Sequence, residues 1–222
     1  ALYHSLLNPN LYTDADGRYR GMDMQIHQDS TDNHYTIFSL WDTFRATHPL
    51  FTLIEQEKTN EFIRTFLRQY RQGGKLPIWE LAANYTNCMI GYHAIPVIAD
   101  AYAKGIRDYD IEEAMDAMIY SANLDSEGLE YYKTKGFIAA SDEPESVSKT
   151  LEYAYDDWCI AMMADSLVRD DVANYFYQRG QYYKNVYDPS TKFFRAKVNN
   201  NWFGPFVPDE VNFNYTEANA WQ

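Results

Sequence analysis

Glu145 to Leu167 reads ESVSKTLEYAYDDWCIAMMADSL, and its apolar residues fall on one helical stripe: Val147, Leu151, Ala154, Trp158, Ala161 and Met162. Spacings of three and four from Val147 to Ala161 predict a long packed helix. Asp170-Asp171 interrupts the pattern, and Val172 to Val186 supplies a partner helix that closes at Asp188-Pro189. Two long helices joined by a short connection form a helical hairpin. The carboxylates Glu145, Glu152, Asp156 and Asp157 around Trp158 read either as a solvated acidic face or as a partly buried network. Downstream, Lys192 to Asn212 reads as a loop or small hairpin, with Gly204, Pro205 and Pro208 as punctuation.

The same unit recurs upstream. Leu53 to Gln72 carries Phe62, Phe66, Leu67 and Tyr70 on one face and stops at Gly73-Gly74. Cys88 to Ala103 reads as a helix in which Pro96 marks a kink or a first turn. Asp110 is placed to cap the helix that begins at Ile111. Tyr35 to Thr47 reads as helical, with its first residues extended and Pro49 as its stop, and Ala1 to Leu7 ends before Asn8-Pro9. Asp14 to Asp23, DADGRYRGMD, predicts a glycine turn with a hairpin around Arg18, Tyr19 and Arg20. It lacks the later ligands of a calcium loop. No long strand alternation is visible, so the fold class is all-α, a helical hairpin array either open or closed into a toroid.

Composition narrows the function. With 46% apolar and 23% charged residues, the 222 residues suit a globular chain, one domain or part of one. A net charge of −13 without a basic stripe argues against a nucleic-acid partner. No run approaches the length of a membrane span. Cys88 and Cys159 are too few for a disulfide framework. Buried free thiols are the default, and a pairing between them stays open. The chain lacks an initiator Met and stops in mid-motif, so it reads as an excised piece.

Three clusters combine a tryptophan, a carboxylate and polar neighbours: Trp41-Asp42-Arg45, Trp79-Glu80 with Asn84 and Asn87, and Glu217-Asn219-Trp221. Aromatic faces with amides suit a sugar pocket, because a pyranose offers apolar C–H faces and a rim of hydroxyls. In Val211 to Gln222, VNFNYTEANAWQ, Glu217 lies among Phe213, Tyr215 and Trp221. Desolvation there would favour its protonated form and make it a general acid. The competing reading makes Thr216 a helix N-cap with Glu217 in the first turn. The histidines show no metal spacing, and His93 beside Tyr92 reads as a core histidine.

The strings GRYRGMD, YTIFSLWDTFRATHPL, LPIWEL, TNCMIGYHAIPVIADAY, ESVSKTLEYAYDDWCIA and YTEANAWQ, in this order, resemble glycoside hydrolase family 92. That resemblance covers essentially all 222 residues. It implies a calcium-dependent, exo-acting, inverting α-mannosidase, secreted, periplasmic or surface-attached in a bacterium. It also implies that residues 1–222 are a fragment of one (α/α)6 toroid, whose N-terminal β-sandwich and C-terminal part lie outside this chain. Carried onto this sequence, Glu217 is the general acid, and Trp41 and Asp42 belong to the pocket for the terminal mannose. Arg45, Trp79, Glu80, Asn87, Cys88 and His93 line or support that pocket. The general base and much of the Ca2+ site are expected beyond Gln222, which would leave the isolated piece inactive. A non-catalytic helical-repeat or glycan-binding module is the alternative, and another glycosidase or a polysaccharide lyase on the same toroid is a third.

Overall fold

A computed structural model describes residues 2–221. The chain divides between Ser121 and Ala122 into two units. The first opens with a helical turn, α1 (Leu2–Ser5), and four short strands: β1 (Asn10–Leu11), β2 (Arg18–Arg20), β3 (Ile26–Gln28) and β4 (Tyr35–Thr36). These pair antiparallel, β1 with β4 and β2 with β3, so the hairpin expected around Tyr19 is present. Next come β5 (Phe38–Ser39), α2 (Leu40–Thr43), α3 (Thr47–Ile54), α4 (Gln56–Gly73), β6 (Trp79–Glu80), α5 (Ala94–Ala103) and α6 (Ile111–Ala122). α3, α4 and α5 pack on one another. Phe62 and Phe66 of α4 meet Phe38 edge-on, with ring centroids 5.8 and 4.8 Å away. α4 ends at Gly74, whose φ of 78° is the left-handed cap its sequence requires. Asp110 caps α6 by accepting the Glu113 N–H at 2.9 Å.

Before Thr47, the run from Tyr35 is helical only over α2, and the helix expected from Leu53 begins at Gln56, Leu53 and Ile54 closing α3; two further upstream expectations change. Pro49 does not stop a helix; it lies in the first turn of α3, where no intrahelical N–H is required of it. Cys88 to His93 is not helical. Asn87, Met89 and Gly91 have positive φ, and the helix waits until Ala94, which puts Pro96 in its first turn. Cys88 is consequently exposed, contrary to its apolar context, while Cys159 is buried; both are free thiols.

In the second unit, α7 (Leu129–Lys135) lies between the left-handed Gly128 and Gly136. α8 (Ser146–Ser166) is the long helix that the periodicity predicts, and α9 (Asp170–Arg179) packs along it. Asp170 and Asp171 do not break the hairpin but begin α9, where carboxylates favour the helix dipole. The break falls earlier, with Val168 at φ 57°. A 3-10 turn, Tyr182–Val186, ends the partner helix early. Antiparallel pairs follow: β7 (Tyr187–Asp188) with β8 (Phe193–Phe194), and β9 (Lys197–Val198) with β10 (Asn201–Trp202). Asn199 and Asn200, at φ 49° and 65°, make the tight connection of the second pair. The chain is therefore mostly helical with short β ribbons, and pairs this short carry no readable two-residue period.

His48 is buried among Phe51, Phe62 and Phe66, and burial holds its pKa down at about 4. Burial, then the Arg68 guanidinium, lowers His34 to about 3. A histidine depressed below its unfolded value contributes stability above that value and loses it as pH falls through the folded pKa. Unfolding midpoints should therefore fall between about pH 6.5 and pH 4. The His48→Phe variant should show a shallower slope than the parent in a thermal-melt series across that window.

Candidate functional site

Strand pairing in the first unit joins two clusters that lie far apart in sequence. In the β5–β6 register Ser39 faces Trp79 and Phe38 faces Glu80. Trp41-Asp42 follow directly at the start of α2, with Trp41 half-buried and Asp42 exposed. Asp42 accepts a hydrogen bond from the Ser39 hydroxyl, which orients the carboxylate. The Trp79 carbonyl accepts from the Thr86 N–H and hydroxyl, at 3.2 and 2.9 Å. Asn87 and Cys88 come next along the chain, both exposed.

Glu80 turns the other way. It is fully buried and accepts the Thr36 hydroxyl at 2.9 Å, the Ile37 N–H at 3.2 Å and the Ala83 N–H at 2.6 Å. Burial raises its pKa, and these donors pull it back. Thr36 Oγ1 in turn accepts the Ala82 N–H at 2.6 Å, so one carboxylate ties β4, β5 and the loop after β6. Glu80 supports Trp79 and cannot itself meet a ligand without breaking that set. Neither Thr36 nor Ser39 drew attention in the sequence, because a lone hydroxyl carries no pattern.

His93 is also inward. Its imidazole stacks on Phe44 at 4.1 Å, and the Arg45 guanidinium lies 4.7 Å from the same ring's centre. A side chain at Gly91 would place a Cβ 2.2 Å from the His93 ring, so glycine is required there. His93 is thus a core residue that steadies Phe44 and, through it, exposed Arg45.

In the second unit, Thr216 is not an N-cap, since no helix begins there. Its hydroxyl is buried and finds no hydrogen-bond partner among the described residues. Glu217 sits in a turn at φ 53° and is exposed. Phe213 and Trp221 are 67% and 71% exposed, so the aromatic enclosure expected around Glu217 is not formed by these neighbours. Tyr215 alone turns inward, donating its hydroxyl to the Phe194 carbonyl at 2.7 Å, and burial pushes its pKa up to about 12. Among α8's acids, Glu152, Asp156 and Asp157 are buried, so the network reading replaces the solvated face. Among the described residues, no three His, Cys, Asp or Glu side chains converge to hold a metal ion.

The family model for the glycosyl hydrolase family 92 catalytic domain matches residues 1–222. The chain is similar to a family GH92 alpha-mannosidase from Bacteroides thetaiotaomicron: TM-score 0.94 and 41% identity, over 98% of this chain and 30% of that one. The same mannosidase in complex with mannoimidazole matches at 0.90 and 42% identity, over 93% of this chain and 28% of its own. A family GH92 inverting mannosidase from Bacteroides thetaiotaomicron VPI-5482 matches at 0.89 and 36%, over 99% and 31% of the two chains. An uncharacterized secreted glycosidase of Arthroderma benhamiae is 27% identical over 163 residues, 66% of this chain and 21% of its own length. The chain thus spans under a third of the solved relatives' length.

Glu80→Ala would leave the buried Ala83 N–H and the part-buried Ile37 N–H without acceptors. A loss of at least about 2 kcal/mol is expected, since each desolvated donor left unpaired costs roughly 1–3 kcal/mol. Denaturant titration of the variant against the parent measures it.

Proposed function

The chain belongs to glycosyl hydrolase family 92, and from that membership we propose that the protein removes terminal α-linked mannose from glycans with inversion, Glu217 acting as general acid. The observation that carries the reading is a family match over all 222 residues that includes an exposed glutamate held on a constrained turn. Protonated Glu217 gives its proton to the glycosidic oxygen as the bond from that oxygen to the anomeric carbon breaks. A water attacks the opposite face of that carbon and passes its proton to a second carboxylate. We place that base outside the 222 residues. Trp41 offers an apolar face and Asp42 a hydrogen-bond acceptor for the terminal mannose, with Arg45, Trp79, Asn87 and Cys88 as its neighbours. Glu80 and His93 act as supports.

The helical hairpins are proposed to form part of an (α/α)6 toroid, with residues 1–222 as a fragment of one catalytic domain. A β-sandwich and the rest of the toroid, on the same polypeptide, are its partners. The apolar surroundings that a general acid requires are assigned to that remainder. Family membership also favours Ca2+. The residues present do not fit it, since no ligand set converges among those described; its ligands are assigned outside this chain, and no step is derived through it. No helix among the described residues is long and apolar enough to cross a membrane. A secreted, periplasmic or cell-surface location in a bacterium is proposed, in keeping with the relative described as secreted.

The full-length protein should release mannose from an α-mannobioside, and a chelator should suppress that release. Glu217→Gln should lower kcat by roughly 10²–10⁴, the range that general acid catalysis contributes. The isolated 222-residue chain should release none. Sugar binding without release by the full-length protein, at any calcium concentration, would replace the hydrolase with a glycan-binding module.

A further inference from the structure

The first N–H groups of any helix lack partners within the helix. At the start of α8 they are taken up by the turn that carries Glu217. The Glu145 N–H reaches the Phe213 carbonyl at 2.6 Å, and the Val147 and Ser148 N–H groups reach the Asn214 carbonyl at 3.1 and 3.4 Å. The helix answers with a side chain. Ser148 Oγ accepts the Thr216 N–H at 2.9 Å, and both residues are buried. Tyr215, between these contacts, is fixed by its hydroxyl on Phe194 and by packing with Val147 and Ala196. Beyond Glu217, the Ala220 N–H bonds to the Pro208 carbonyl at 3.1 Å.

Glu217 itself lies at φ 53°, a region L residues avoid, and such a backbone persists only where its surroundings over-determine it. The peptide one step earlier, which enters Thr216, is held at the Thr216 N–H by one side chain of α8. Without it, the 216–217 segment is free to relax toward negative φ, and the carboxyl group would swing with it. We infer that Ser148 is a positioning residue for Glu217: its hydroxyl locks the turn that aims the carboxyl at the leaving oxygen. This rests on the reading of Glu217 as the general acid.

The test uses the full-length enzyme and two aryl α-mannosides, one with a poor leaving group (4-methoxyphenyl) and one with an activated group (2,4-dinitrophenyl). Only the poor leaving group needs the acid's proton. Ser148→Ala should lower kcat/KM on the methoxyphenyl substrate by about tenfold, within the ~100-fold that a misplacement of about 1 Å can cost, and by much less on the dinitrophenyl substrate. Ser148→Thr, which keeps an acceptor oxygen, should restore most of the loss. Should alanine prevent folding, judged by circular dichroism, Ser148→Cys substitutes a near-isosteric but weak acceptor, with the same ordering expected. An equal loss on both substrates, or no loss on either, overturns the inference and leaves Ser148 a purely structural residue. Glu217→Gln run in parallel separates the two readings. Leaving-group dependence there without any in the Ser148 variants sinks only the positioning role, whereas its absence in Glu217→Gln removes the acid assignment and this inference with it.

Discussion

Arg179 is the charge around which the second unit is arranged. Its side chain is 1% exposed, and its Nε donates to Asp157 Oδ2 at 2.7 Å. The other nitrogens donate to the Ala122 carbonyl at 2.9 Å and Asn123 Oδ1 at 3.0 Å. Tyr132, Tyr175 and Phe176 surround the guanidinium, 4.9–5.4 Å from it to the ring centres. Even its backbone carbonyl is used, accepting the Tyr132 hydroxyl at 3.0 Å. A buried ion pair costs several kcal/mol in desolvation and is tolerated only with every donor satisfied. That demand sets the register of α8 against α7 and α9. Ser148 lies nine residues up the same helix from Asp157, roughly 13 Å at 1.5 Å per residue, so one rigid element joins the charge lock to the Glu217 turn.

Of the protein's 32 acidic side chains, those in the core and at the candidate sites are held in two ways. Glu80, Asp157 and Asp188 are buried and committed to donors that hold the backbone or an arginine. Asp32 joins Arg64 and Arg68 in the same manner. Asp42 and Glu217 are exposed, yet each is constrained, one by a neighbouring hydroxyl and the other by its backbone. A carboxylate available for chemistry has to keep its lone pairs free for substrate while losing little freedom on binding. These two meet that condition; Glu80, which shares a tryptophan neighbour with them in sequence, does not.

Much of this was legible locally. The long apolar run from Val147 to Met162 announces α8, although that helix is buried on most sides and its Trp158 is exposed; Phe62, Phe66 and Leu67 specify α4, because a helix that buries one face must repeat every three or four residues. Asp110 and Gly74 mark helix ends through short-range geometry alone. Local signals misled where two local outcomes differ little in energy. Pro49 suits a helix's first turn as well as its end. Thr216-Glu217 has the composition of a helix start, but Asn214 and Thr216 are engaged by α8 instead.

What the sequence determined by itself was the long helices, α4 and α8 above all, and the family strings. Only the tertiary structure decided which acids face inward and how each candidate is held. Thr36 and Glu80 are 44 residues apart, and Ser148 and Thr216 are 68 apart. A hydroxyl acquires its role only when a distant backbone group arrives without a partner, and no pattern within a helix's reach records that arrival. Burial of Glu80 follows from donors that converge on it from separate elements; exposure of Glu217 follows from a backbone bond made to a helix far back in the chain.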